Sequence, residues 1–253
     1  MKKSNSDRLK ALKRVSREIR RVKFVPLERP QVPSGAQPTL ELLDWATRLY
    51  CYSILSHFRE LLTSLVFLSE AERGPAVFII ARSLYEIAAH SYYVQKHIKQ
   101  YREVKNIERG WKFMESINMG SLYMKKKGIS VLSSRRPFPE PRNIGKIIRC
   151  FDEWRLIPRQ GHASETYSYL SEFAHPNMAA FNHYYKMATS AAPKILAKFV
   201  DPPCDVDQQP LAEVSIAVAA TLYNLSDLLG MLGNNTLREK LNASLSALIG
   251  KRK

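Results

Sequence analysis

Ala76–His97 reads AVFIIARSLYEIAAHSYYVQKH, and the fold turns on how that stretch is read. It is apolar or aromatic on most sides, the pattern of a helix lying inside a bundle rather than on its surface. Set into it are Arg82, Glu86 and His90, each four residues after the last. Four residues advance a helix by about one turn, so the three share a face, with Tyr93 beside them. Charged groups on a buried helix must find partners, because an unpaired charge in an apolar interior is costly.

Working outward, Pro38–Thr39 starts a preceding helix with Glu41 and Asp44 in its first turns. Its apolar spacing continues to about Ala71, where Arg73–Gly74–Pro75 breaks it. The central helix runs on to about Gln100, and helical spacing returns over 104–127, 143–154, 163–174, 177–199, 211–232 and 236–248. Lys125–Lys127 ahead of Gly128 supply the charge and stop of a helix C-terminus. Residues 128–142, with three prolines and Arg135–Arg136, read as irregular. No strand-like alternation and no internal repeat rises above this pattern. The expected fold is all-α: a single multi-helix bundle over residues 39–253.

Residues 1–23 carry half of the net charge of +16, ten Lys or Arg facing only Asp7 and Glu18. Leu9, Leu12, Val15, Ile19 and Val22 recur at three- and four-residue steps, so 5–23 reads as a basic amphipathic helix. Pro26, Pro30, Pro33 and Pro38 make 24–38 a linker, and the expectation is a detachable arm whose removal leaves the body folded. A pI near 9.8 points to a polyanionic partner, nucleic acid or an acidic membrane surface. The candidate phosphate contacts are Lys10, Lys13, Arg14, Arg17, Arg20 and Arg21. Residues 1–23 hold no aromatic side chain, so single strands should gain little over duplex.

Cys51, Cys150 and Cys204 lie far apart with no Cys-x-x-Cys, which fits a reducing cytosol and no disulfide framework. The Lys-rich start is followed by no apolar core segment, unlike a secretory signal. Val214–Leu232 is interrupted by Asn224 and Asp227 and reads as a core helix, not a transmembrane segment. A cytoplasmic location follows as the expectation, and a homo-oligomer is compatible with it.

Downstream, Ser164–Asn177 reads SETYSYLSEFAHPN. Ser164, Ser168, Ser171 and His175 fall on one face, with Tyr167, Leu170 and Ala174 on an apolar side. Small hydroxyls ending in His suit the charged row on the central helix. The candidate site is therefore Arg82, Glu86, His90, Ser171 and His175, as a structural brace or a functional pocket. Glu86, His90 and His175 have the chemistry of metal ligands, but Arg82 one turn from Glu86 would repel a cation, so no metal is assigned. Ser171 and His175, one turn apart, lack an orienting acid unless Glu86 provides it. No phosphate-binding glycine loop is present, and no cofactor is expected.

At these two segments the chain resembles a family of uncharacterised bacterial helical proteins. The likeness rests on Arg82-x-x-x-Glu86 and on Tyr167, Leu170, Ser171, His175 and Pro176, and spans roughly 39–232. It implies a helical domain in which these residues come together, and brings no activity with it. A more distant likeness is to the HEPN superfamily of helical, metal-independent ribonucleases, whose signature is Arg, four to six residues, then His. Arg155 and His162 match that spacing, with Leu156 after the Arg and Pro158 and Gly161 interrupting; Arg82 and His90 have one residue too many. Two functional readings follow: a non-catalytic module of a defence or stress system that holds nucleic acid through its basic arm, or a ribonuclease or other hydrolase using His175 and His90 as acid and base with Arg82 stabilising phosphate charge.

Overall fold

The computed structural model describes residues 4–31, 36–119, 142–155, 157–174, 185–189, 195–199 and 209–249. The helices among them are α1 (Asn5–Arg20), α2 (Leu40–Glu70), α3 (Gly74–Glu103), α4 (Ile107–Met119), α5 (Ile144–Phe151), α6 (His162–Glu172), α7 (Leu211–Met231) and α8 (Asn235–Ile249). Several begin or end for a local reason. Ser4 and Thr39 accept from the backbone N–H groups of Asp7 and Leu42 and so cap α1 and α2. Pro75 sits in the first turn of α3, where its missing N–H costs nothing. Gly233, at φ 72°, makes the left-handed turn between α7 and α8.

The stretch that opened the reading is the middle of α3, and it is central in fact: α3 packs against α2, α4, α5, α6 and α7. Phe78, Leu84, Tyr85, Ala88, Val94 and Ile98 are its buried face. The seam with α7 carries polar pins as well as apolar contact. Asn224 donates to Ser91, and Gln95 to Asp227, which fixes how the two helices sit along each other. By length and composition α7 could cross a bilayer, but 67% of its most apolar window is buried inside the bundle.

The fold is all-α, as the periodicity predicts, with two departures. The first concerns residues 177–199, which the spacing reads as one helix. The described parts are two strands, β1 (Tyr185–Thr189) and β2 (Ile195–Phe199), paired antiparallel with Tyr185 opposite Phe199 and Thr189 opposite Ile195. Pro193 lies between them and would break a helix interior, removing an N–H and clashing with the preceding turn. The predicted end of the 104–127 helix, with Lys125–Lys127, lies outside the described residues, as do Arg135–Arg136, His175 and Cys204.

The second departure is the arm. Leu12, Val15 and Ile19 are fully buried, in the same apolar cluster as Phe58, Leu62 and Leu225. α1 packs on α2, α7 and α8, and polar ties reinforce the contact. Asn5 donates to the Gln209 carbonyl (3.0 Å), Ser16 and Thr63 share a hydrogen bond (3.1 Å), and Lys13 pairs with Glu70. The following segment is seated too, Phe24 against Tyr52 and Arg29 over Trp45. The expected detachable helix is therefore a bundle member. A narrow apolar stripe looks the same in sequence whether or not a partner groove receives it.

Candidate functional site

Two polar regions stand out, one at the junction of α3 with α6 and one on the outer face of α1. At the junction the i,i+4 spacing on α3 brings Arg82 and Glu86 together, Nη2 to Oε1, at 3.2 Å. The third member is Tyr167 of α6. Arg82 Nη2 donates to its hydroxyl (3.0 Å), and the hydroxyl donates to Glu86 Oε1 (2.9 Å). The guanidinium also lies 5.3 Å from the Tyr167 ring centre, within cation–π range. The Tyr167 hydrogen bond, seconded by the charge of Glu86, holds Arg82 more firmly protonated than usual against the opposing pull of burial. The pair is half-buried rather than sealed, with side chains 26% and 34% exposed.

What aims Tyr167 at α3 is the way α6 is held. Asp152, just after α5, accepts from the Ala163 N–H (2.7 Å) and the Ser164 hydroxyl (3.2 Å), capping α6 from outside its own sequence. At the other end Phe173 stacks on Phe78 of α3, ring centres 4.0 Å apart. This rotation sends the serine face elsewhere than expected. Ser168 is exposed, and Ser171 donates to the Tyr167 carbonyl of its own helix at 2.7 Å. The residue placed on the apolar side, Tyr167, is the one that meets the charged row. The signal available was its amphipathic build, an apolar ring with a hydroxyl that seeks a partner when covered.

His90 is a separate matter. Its Nδ1 lies 3.2 Å from the Tyr50 hydroxyl of α2, and the two rings are stacked at 5.9 Å. Burial pushes its pKa down to about 4, so the ring is neutral at neutral pH. His90 and Glu86 line one cleft of about 500 Å³, with Tyr50, His57, Ser83 and Asn118. No group of three His, Cys, Asp or Glu side chains that could hold a metal exists among the described residues. Of the ribonuclease-like pair, Arg155 lies 4.4 Å from the Tyr223 ring centre on α7, and His162 opens α6.

On α1 the six basic candidates divide. Lys13 pairs with Glu70 of α2, and Arg14 with Glu18 at 3.2 Å. Lys10, Arg17, Arg20 and Arg21 are exposed, and among the described residues none is paired with a carboxylate. Lys10, Arg14, Arg17 and Arg21 follow at steps of four, three and four, one continuous stripe opposite the buried Leu12, Val15 and Ile19. Beside this stripe, from α2, stands Phe67, 69% exposed. Sequence reasoning missed it because Leu65–Val66–Phe67–Leu68 reads as uniform core. No protein-family model, curated protein or solved structure matches this chain.

Proposed function

We propose that this protein is a non-catalytic nucleic-acid-binding module whose contact surface is the outer face of α1. The observation that carries the reading is that Lys10, Arg17, Arg20 and Arg21 project from a helix anchored by its other face, with no carboxylate on them among the described residues. Cations held on a rigid element lose little freedom on meeting phosphates, and each neutralised phosphate releases condensed counterion. Burial of Leu12, Val15 and Ile19 also disfavours the membrane reading, because the stripe that would enter a bilayer already lies in the protein core.

The test is filter binding of RNA and DNA over a salt series by the full chain and by a triple variant, Arg17→Gln, Arg20→Gln and Arg21→Gln. Wild-type affinity should fall linearly with salt on logarithmic axes and be nearly indifferent to sequence. The variant should bind at least about tenfold more weakly, with a salt slope shallower by roughly two to three. Equal binding by the two proteins would refute the surface.

A further inference from the structure

α1 and the C-terminal half of α2 run antiparallel, since Lys13 meets Glu70 while Ser16 meets Thr63. Between them lies a shallow groove of about 220 Å³ with a definite chemical division. Arg17 and Arg20 stand on the α1 wall, both exposed and without a carboxylate among the described residues. Phe67 stands on the α2 wall with most of its ring in solvent. The floor mixes the Val66 side chain with the Ser16 and Thr63 hydroxyls, which are bonded to one another. The Lys13–Glu70 pair also lines the groove, so the acidic group there is already answered.

Resting on the proposal that α1 binds nucleic acid, we infer that this groove selects single strands, with Phe67 stacking on an unpaired base while Arg17 and Arg20 hold the flanking phosphates. Guanidinium groups match phosphate oxygens in geometry as well as charge. The two arginines are three residues apart, about 4.5 Å along the helix axis, so their long side chains can reach neighbouring phosphates of an extended strand. An aromatic ring beside a cationic track is the combination that sequence-tolerant single-strand binders use, since every base has a face to stack and a duplex keeps those faces covered. A lipid surface fits less well: Phe67 is the groove's one exposed ring, and the aliphatic stripe of α1 is already buried.

Phe67 is exposed enough that replacing it should leave the fold intact, which circular dichroism checks. Full-length wild type, Phe67→Ala, Phe67→Trp and the Arg17→Gln/Arg20→Gln double variant would be titrated against an unstructured 12-nucleotide strand, a blunt duplex and phosphatidylserine vesicles. Wild type should prefer the strand. Phe67→Ala should weaken strand binding about tenfold while duplex binding and the salt slope stay unchanged. Phe67→Trp should restore strand affinity, with its indole emission quenched on binding. The double variant should lose affinity for strand and duplex alike. Strand affinity unchanged in Phe67→Ala would overturn the stacking inference, and a loss confined to the double variant would leave the basic surface standing without it. No binding of wild type to either nucleic acid would overturn both. A Phe67→Ala effect seen only on vesicles would assign the groove to lipid and overturn the inference.

Discussion

Two sets of arginines in this molecule stand in opposite circumstances. Arg82 is closed into a three-way contact with Tyr167 and Glu86. Arg48 donates to the Leu232 carbonyl, and Arg102 pairs with Asp44, again inside the bundle. Arg17 and Arg20 stand on α1, and Arg21 caps its end, with no such partner among the described residues. A half-buried guanidinium that bridges helices has at least one nitrogen committed to a protein acceptor and braces the fold. An outward one on an anchored helix leaves its donors to solvent, which is what the proposed phosphate contact requires. The difference teaches that exposure and prior pairing, more than residue type, separate a brace from a face still open to a partner.

The largest expected effect tests whether the anchoring of α1 is real. Removing residues 1–23 should strip Leu12, Val15 and Ile19 from the core. Full burial of such a side chain is worth about 1.5–3 kcal/mol, so the loss should be on the order of 5 kcal/mol. That rivals the whole stability of many domains, and the truncated chain should be molten or insoluble. Leu12→Ala alone should cost about 2–5 kcal/mol in urea melts. A truncated protein with an unchanged cooperative melt would break the comparison, since the basic face would then belong to a loose tail.

That docking was not legible in the sequence, and the reason is physical. An amphipathic stripe states that a helix has an apolar side, not whether α2, α7 and α8 leave a groove to receive it. What was legible depended on local rules. The centrality of α3 followed from its all-round apolarity, and Arg82–Glu86 from i,i+4 geometry on one helix. Tyr167 was hidden because the rotation of α6 is set by Asp152 and by Phe78, groups far away in sequence or on another helix. The strands at 185–189 and 195–199 were hidden beneath a helix-like spacing that Pro193 alone contradicts.

A second experiment sharpens the boundary of the brace. His90 shares a helix face with Arg82 and Glu86 in sequence, yet its hydrogen-bond partner is Tyr50 on α2. Its folded pKa of about 4 lies below the ordinary 6.5. The unfolded chain therefore takes up a proton first as pH falls, so the stabilisation is fully present above about 6.5 and is lost progressively down to about 4. The loss from this one group should be on the order of 3 kcal/mol. Measuring unfolding free energy at several pH values should show a steeper decline for wild type than for His90→Gln in that window. An imidazole titration midpoint near 6.5 by NMR would instead mean that the ring is solvated, and the cleft beside Glu86 would regain an acid–base group near neutrality.

The smallest expected effect is the most direct test of brace against binding face. Tyr167→Phe removes one hydroxyl and keeps the ring under the Arg82 guanidinium. Two hydrogen bonds are lost, one from Arg82 and one to Glu86, but the i,i+4 pair remains and both partners reach some water. A net cost of about 1–1.5 kcal/mol follows, below that of a sealed ion pair because solvent screens the charges that remain. Glu86→Gln should cost a similar amount, and the double variant less than their sum, because both changes break the same contact. RNA binding should be untouched in all three, since Arg17, Arg20 and Arg21 lie on another helix. A stability change below about 0.3 kcal/mol for Tyr167→Phe would mean that the triad does not brace the α3–α6 junction. Loss of RNA binding in a stably folded Tyr167→Phe would reverse the assignment, making the junction the site and the basic helix its support.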